Sequence, residues 1–319
     1  MKKMYNNKNL NSISIIMLVI VVMIVGILFC YITNKKRVEY FENINDIYIK
    51  GDNIVTHNSV PKLIWTFWDN PDNIPDIISK CIHTFKIYNP GYDVIVLHKN
   101  NLNIYLPEVN FDNIKHIKNE PARFSDMVRL HILAKNGGIW CDASIICLES
   151  FEWIQKIIKN NKCEFVGFYI NGFTFHEYIH YSPVIESWFL ACVKDSKFMN
   201  DWKNEFLKIS NFNTVKEYIE NVKDNNISIQ NITIPIYLSI HVSAQVILQK
   251  NINRYNLYVL RAEDTAFKYL VDNNWNQDIA TDYLLNNFDN INKQKIHIIK
   301  LRGGDRKRLM NKDYNKLFN

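Results

Sequence analysis

From residue 61 onward, short apolar runs alternate with stretches in which apolar residues return every three or four positions. Lys62-Leu63-Ile64-Trp65-Thr66-Phe67-Trp68 is a β-rich run that stops at Asp69-Asn70-Pro71-Asp72, a loop composition. Pro75 then opens a helix to about Tyr88, with Ile77, Ile78, Cys81, Ile82 and Phe85 at helical spacing. Asn89-Pro90-Gly91 ends it, and residues 92–98 form a second strand. Strand, helix, strand within about 40 residues is a βαβ unit, which requires a parallel pairing. A second unit starts at Pro121: a helix over 122–136 with Met127, Leu130, Leu133 and Ala134 on its buried face, a stop at Gly137-Gly138, and a short strand, Ile139-Trp140-Cys141, leading to Asp142. Downstream, the pattern predicts strands at 165–170, 257–260 and 296–301 and helices at 184–193, 198–209 and 234–249. Trp188 falls on the first of these helices as a core residue. No repeat or internal linker interrupts this region, so residues 60–319 form one α/β domain.

The beginning of the chain follows a different rule. Residues 12–32 carry no charge, and only Ser12, Ser14 and Gly26 are not apolar. A helix of about 20 residues crosses the roughly 30 Å of a bilayer's hydrocarbon, so this segment reads as a transmembrane anchor. It is too long for the apolar core of a secretory signal, and Phe29-Cys30-Tyr31 offers no small-x-small cleavage site. Residues 1–11 are then a short tail, and the polar, Asn-rich residues 33–59 a stem.

Charge sharpens this division. The net +6 invites a nucleic-acid reading, but residues 1–37 hold six bases and no acid, leaving 32 bases against 32 acids in the remainder. The excess flanks the apolar segment, and no nucleic-acid partner is implied. Bases lie on both sides of the segment, so the positive-inside rule does not orient it. A single-pass membrane protein is expected, of type II orientation in the Golgi or ER if made in a eukaryotic cell. Cysteine usage implies neither a zinc site nor a redox pair, because no Cys-x-x-Cys occurs.

Missing motifs narrow the chemistry. None of the nine glycines forms Gly-x-Gly-x-x-Gly or Gly-x-x-x-x-Gly-Lys, and neither Gly-x-Ser-x-Gly nor His-Glu-x-x-His occurs. The chemistry-bearing residues concentrate at 122–144. Asp126 and Arg129 are three apart on one helix and can pair. Asp142 falls at the carboxyl end of a strand, the edge where open α/β sheets bind ligands. A carboxylate there suits a divalent cation or a ribose hydroxyl, and an Asp–Arg pair suits sugar hydroxyls. The same residues would also serve as a plain helix salt bridge and a turn-starting Asp.

These stretches resemble the capsular-polysaccharide-synthesis-like sugar transferases, part of the wider group with a DXD sugar-binding region. Residues 61–68 are similar to their opening strand. Residues 124–130 and 133–144 (Leu-Ala-Lys-Asn-Gly-Gly-Ile-Trp-Cys-Asp-Ala-Ser) look like their central signature, and 186–191 and 261–264 like weaker downstream blocks. The resemblance implies a GT-A-type fold with a mostly parallel sheet, a nucleotide-sugar donor, and transfer to a glycan or other hydroxyl acceptor. By position it implies Trp68 against the base, Asp126 and Arg129 on the hydroxyls of donor sugar and ribose, and Asp142 as the first DXD carboxylate. Asp142, Asp126 and Arg129 are thus the catalytic set, with Gly138 and Ser144 among the donor-binding positions. A divalent cation, manganese or magnesium, is implied at Asp142. Ser144 stands where the last DXD carboxylate belongs, so a further ligand is expected from Asp264, with Glu263 and His297 as alternatives, or metal dependence is weak. Arg302 and Gly303-Gly304-Asp305-Arg306 read either as a solvated loop or as a turn closing over a diphosphate. The substitution at Ser144 also leaves open a catalytically inactive, nucleotide-sugar-binding relative.

Overall fold

The computed structural model describes residues 46–292 and 296–318, within a single compact unit Asp46–Asn319. The expected anchor at 12–32 lies outside the described residues. Among those described, no helix is long and apolar enough to cross a membrane.

The first βαβ unit forms as its pattern dictates. Strand β2 (Leu63–Phe67) buries Ile64, Trp65 and Thr66. Helix α1 (Asp76–Tyr88) follows Pro75 and buries Ile77, Ile78, Cys81, Ile82 and Phe85. Strand β3 (Asp93–Leu97) then pairs parallel with β2, Leu63 opposite Asp93. After the single turn α2 (Leu102–Tyr105) comes α3 (Pro121–Asn136), with proline in its first turn. It stops at Gly137, where φ is 63°, and Gly138 follows at φ 100°. Both values lie in the region that disfavours a side chain. A Cβ on Gly138 would lie 2.8 Å from the Leu63 carbonyl oxygen and 2.9 Å from Trp65 Nε1. The doublet therefore lets β4 (Gly138–Cys141) enter tightly beside β2, Ile64 opposite Ile139.

The sheet continues through β6 (Phe165–Tyr169), β7 (Ile185–Cys192) and β8 (Leu257–Arg261) to β1 (Ile47–Ile49), in the order β1-β8-β6-β7-β4-β2-β3. β2, β3, β4, β6 and β8 all point the same way, while β1 and β7 run against them. The architecture is thus α/β around a mixed sheet with mostly parallel strands. β1 comes from the stretch read as a stem, and Asn256 ties it down further by bonding the Gly51 amide and the Asn53 carbonyl.

Two helix expectations need correction. The segment expected as a helix at 184–193 contains strand β7 (Ile185–Cys192) instead. All eight residues of β7 are buried because it lies between β4 and β6 with both faces covered, which erases the alternation that marks a half-exposed strand. Trp188 therefore sits on a strand, stacked on Phe168 at 4.9 Å. The helix expected from Ile234 begins only at Ser239, as α7 (Ser239–Lys250).

Between β4 and β8 lie α4 (Glu152–Asn161), α5 (Lys197–Leu207) and α6 (Val215–Asp224); α5 packs against both α3 and α7. After β8 come α8 (Lys268–Val271), α9 (Gln277–Asn292) and α10 (Gly303–Leu309). A separate two-stranded clip joins β5 (Ile145–Cys147) to β9 (Ile298–Lys300), antiparallel, with Ile145 opposite Lys300. It brings the end of the chain back to the carboxyl end of β4. The five cysteines described are free and buried, as their apolar surroundings require.

Candidate active site

The carboxyl ends of β2 and β4 and the first residues of β7 open on a cleft of about 870 Å³. Its walls include Trp68 after β2, Ser125, Asp126 and Arg129 on α3, Asp142 and Ser144 after β4, Glu186 and Trp188 on β7, His241 on α7, and Lys300, Arg302 and Arg306 from the end of the chain.

Asp142 is its centre. The Asp142 amide donates to the Trp188 carbonyl at 2.9 Å, which fixes the backbone where β4 leaves the sheet. Three donors converge on its carboxylate. Trp140 Nε1 reaches Oδ1 at 3.0 Å, Arg129 Nη2 lies 3.4 Å from Oδ1, and Lys300 Nζ donates to Oδ2 at 2.7 Å. Burial pushes this carboxyl up, but Lys300 and Arg129 outweigh that effect and hold it below the usual carboxylate range. Its side chain is 25% exposed, enough to meet a ligand.

Arg129 is the bridge. Its Nη2 also lies 3.3 Å from Asp126 Oδ1 and 3.3 Å from Ser125 Oγ, while Nη1 donates to the Ser187 carbonyl. The guanidinium carbon stands 5.0 Å from the centre of the Trp140 ring. The expected Asp126–Arg129 pair thus exists and is extended to Asp142. Asp126 is more deeply buried, and burial raises its carboxyl above the ordinary value against the pull of Arg129 and His241. Opposite, His241 Nε2 and Glu186 Oε2 are 3.3 Å apart, both buried. Arg129 Nε, Trp188 Nε1 and His241 Nδ1 are buried without a hydrogen-bond partner among the described residues.

A family model for capsular polysaccharide synthesis proteins matches residues 31–303. The chain belongs to that family. This is the family its motifs resemble, and membership gives the enzyme class, glycosyltransferase. No curated protein sequence matches. Among solved structures, the PaToxG glycosyltransferase is 12% identical, with 90% of this chain and 96% of that one covered and a TM-score of 0.36. The UDP-bound glycosyltransferase domain of the YGT toxin is 11% identical, covering 81% and 95%, with a TM-score of 0.37. The galactosyltransferase LgtC, in complex with donor and acceptor sugar analogues, is 10% identical, covering 76% and 87%, with a TM-score of 0.39.

Within this chain, several expected site residues come together and others do not. Trp68, Asp126, Arg129, Asp142 and Ser144 share the cleft. Gly138 does not, because it starts β4 at the opposite end from Asp142 and packs on Leu63 and Trp65. Asp264 is also outside. It follows β8, three strands from β4, about 14 Å at ~4.8 Å per strand, and pairs with Arg261 at 3.8 Å. Glu263 accepts from the Gly172 amide at 3.0 Å, and His297 stacks on Trp153 at 4.3 Å while its Nδ1 faces Glu149. The 302–306 segment is no solvated loop. Asp305 is fully buried, bonded by Tyr269 and Arg302, and Arg302, Gly303 and Arg306 line the cleft.

For a divalent cation, which the resemblance implies, the donor set at Asp142 is wrong. Asp142 offers one carboxylate and Ser144 one hydroxyl, and both face the Lys300 ammonium, at 2.7 and 2.9 Å. A dication on the same two oxygens would stand about 4 Å from that ammonium, a repulsion on the order of 8 kcal/mol at an effective dielectric near 20. Among the described residues, no group of three or more His, Cys, Asp or Glu is placed to hold a metal.

Lys300, Glu186 and His241 are functional candidates that the sequence reading did not single out. Lys300 did leave a trace: it is the one charge inside the apolar run Ile298-Ile299-Lys300-Leu301.

Proposed function

We propose that this family member transfers a sugar from a nucleoside-diphosphate donor to a hydroxyl of a glycan or glycoconjugate, with polysaccharide or glycoconjugate synthesis as its role, in a GT-A-type manner, while anchored to a membrane through residues 12–32. The observation that carries the donor reading is the Asp126–Arg129–Asp142–Lys300 network in the cleft beside Trp68. The half-buried Trp68 ring offers a stacking face for the base. Asp142 and Asp126, oriented by Arg129, accept from hydroxyls of ribose and donor sugar. Arg302 and Arg306 add positive charge for the diphosphate. In the transfer, the bond between the anomeric carbon and the diphosphate oxygen breaks and its electron pair leaves with the diphosphate. The acceptor oxygen bonds to the anomeric carbon and releases its proton. Cations held in place near the leaving oxygen stabilise the charge that develops there.

The anchor is supported by the uncharged 21-residue stretch and its flanking bases. The test is a screen of nucleotide sugars for hydrolysis and transfer, with and without manganese. At least one donor is expected to turn over, and Asp142→Ala to lower the rate about a hundredfold or more. Nucleotide-sugar binding without turnover toward any acceptor or water would instead identify an inactive relative.

A further inference from the structure

Lys300 reaches the cleft from the end of the chain, 158 residues from Asp142. Its backbone is fixed from several sides. The Lys300 amide donates to the Ala266 carbonyl at 3.1 Å, its own carbonyl accepts from Tyr269 Oη at 3.0 Å, and the next amide, Leu301, donates to the Ser144 carbonyl at 3.0 Å. The residue is 8% exposed and lines the cleft. Burying an ammonium is costly unless partners compensate. Here Asp142 Oδ2 and Ser144 Oγ accept two of its three N–H groups, which leaves one for a ligand oxygen.

Those two acceptors stand at the first and last positions of the DXD-like element. A carboxylate at 144 would suit a dication, whereas a hydroxyl accepts from the ammonium without adding a second negative charge to that of Asp142. Serine at 144 and lysine at 300 are thus two halves of one arrangement. We propose that the Lys300 ammonium is this site's built-in cation, binding the donor's diphosphate in place of a divalent metal, with Ser144 and Asp142 as its positioning residues. The inference rests on the nucleotide-sugar reading above and assigns the charge-bearing group within it. A single positive charge neutralises less of a diphosphate than a dication does; Arg306, which also lines the cleft, adds to it, while Arg302 is already paired with the buried Asp305.

Calorimetric titration of the detergent-solubilised full chain with UDP, GDP, ADP and dTDP, in chelator and in manganese, tests it directly. At least one diphosphate should bind in chelator, with an affinity that manganese changes by less than about threefold. Lys300→Met should weaken that binding about tenfold to a hundredfold, the range of a charge-assisted hydrogen bond, and Lys300→Arg should retain most of it. Thermal unfolding of each variant separates lost binding from lost fold; if Lys300→Met does not fold, the wild-type response to chelator and the Lys300→Arg affinity decide. Wild-type binding that appears only with manganese overturns the inference and leaves the nucleotide-sugar reading standing. A folded Lys300→Met that binds as tightly as wild type overturns it too. Absence of binding by all four diphosphates in both conditions overturns the inference together with the reading it rests on.

Discussion

At Asp142 one carboxylate answers to three donors, Trp140, Arg129 and Lys300, and their combined pull exceeds the cost of its burial. A carboxyl whose folded pKa lies below its unfolded value, about 3.9 for Asp, contributes its full stability above that value and loses it only as pH falls through the folded pKa. Asp142→Asn removes the negative charge and leaves the Lys300 ammonium in the cleft without a counter-ion, at a cost of about 2–4 kcal/mol. In urea denaturation, the gap between wild type and Asp142→Asn should hold constant from pH 7 to pH 5 and begin to close only below about pH 4. A gap that already closes between pH 7 and pH 5 would mean that the Asp142 carboxyl is raised, and would sink this account of its partners. The Asp126–Arg129 pair was legible from a spacing of three on one helix, because helix geometry determines which side chains meet. The Lys300 contact was not, since it depends on a two-stranded clip between segments far apart in sequence. Local motif reading reaches Ser144 and stops there.

At the level of elements, periodicity and punctuation identified the first two βαβ units because each helix has clear stops, Asn89-Pro90-Gly91 after α1 and Gly137-Gly138 after α3. Periodicity failed on β7, where burial on both faces, Glu186 and Ser187 included, removes the alternation that would distinguish a strand from a helix. Gly138, which the family resemblance offers as a donor-binding position, lies outside the cleft, where its φ of 100° and its close approach to β2 serve packing. Gly138→Ala would force a side chain into a left-handed backbone and against the Leu63 carbonyl and the Trp65 indole. Strain and overpacking together predict a loss of about 2–5 kcal/mol, a fall of roughly 5–15 °C in Tm at this domain size. Diphosphate affinity per folded molecule should stay near wild type, because the residue lies at the far end of β4 from Asp142. Calorimetric unfolding together with nucleotide titration checks both parts. A stable Gly138→Ala with lost binding would return the residue to the donor site.

Across the whole molecule, the +6 net charge divides between two regions with different physics. The bases of residues 1–37 flank an uncharged apolar stretch, and the remaining residues balance 32 bases with 32 acids. The basic groups that matter for a diphosphate are therefore local: Arg129, Lys300, Arg302 and Arg306 line the cleft, interleaved with the carboxylates of Asp126, Asp142 and Glu186. The compact unit beginning at Asp46 contains every residue of that cleft. Residues 46–319 expressed alone should consequently unfold in one cooperative transition and bind nucleoside diphosphate within about twofold of the full chain. The full chain should sediment with membranes and resist an alkaline wash, since withdrawing about 20 apolar residues from hydrocarbon is strongly unfavourable; the shortened chain should stay in the supernatant. Fractionation of the two forms from one host measures this. Membrane attachment of the shortened chain would put the anchor elsewhere than 12–32, and soluble full-length chain would remove the anchor from the proposal while leaving the chemistry of the cleft unchanged.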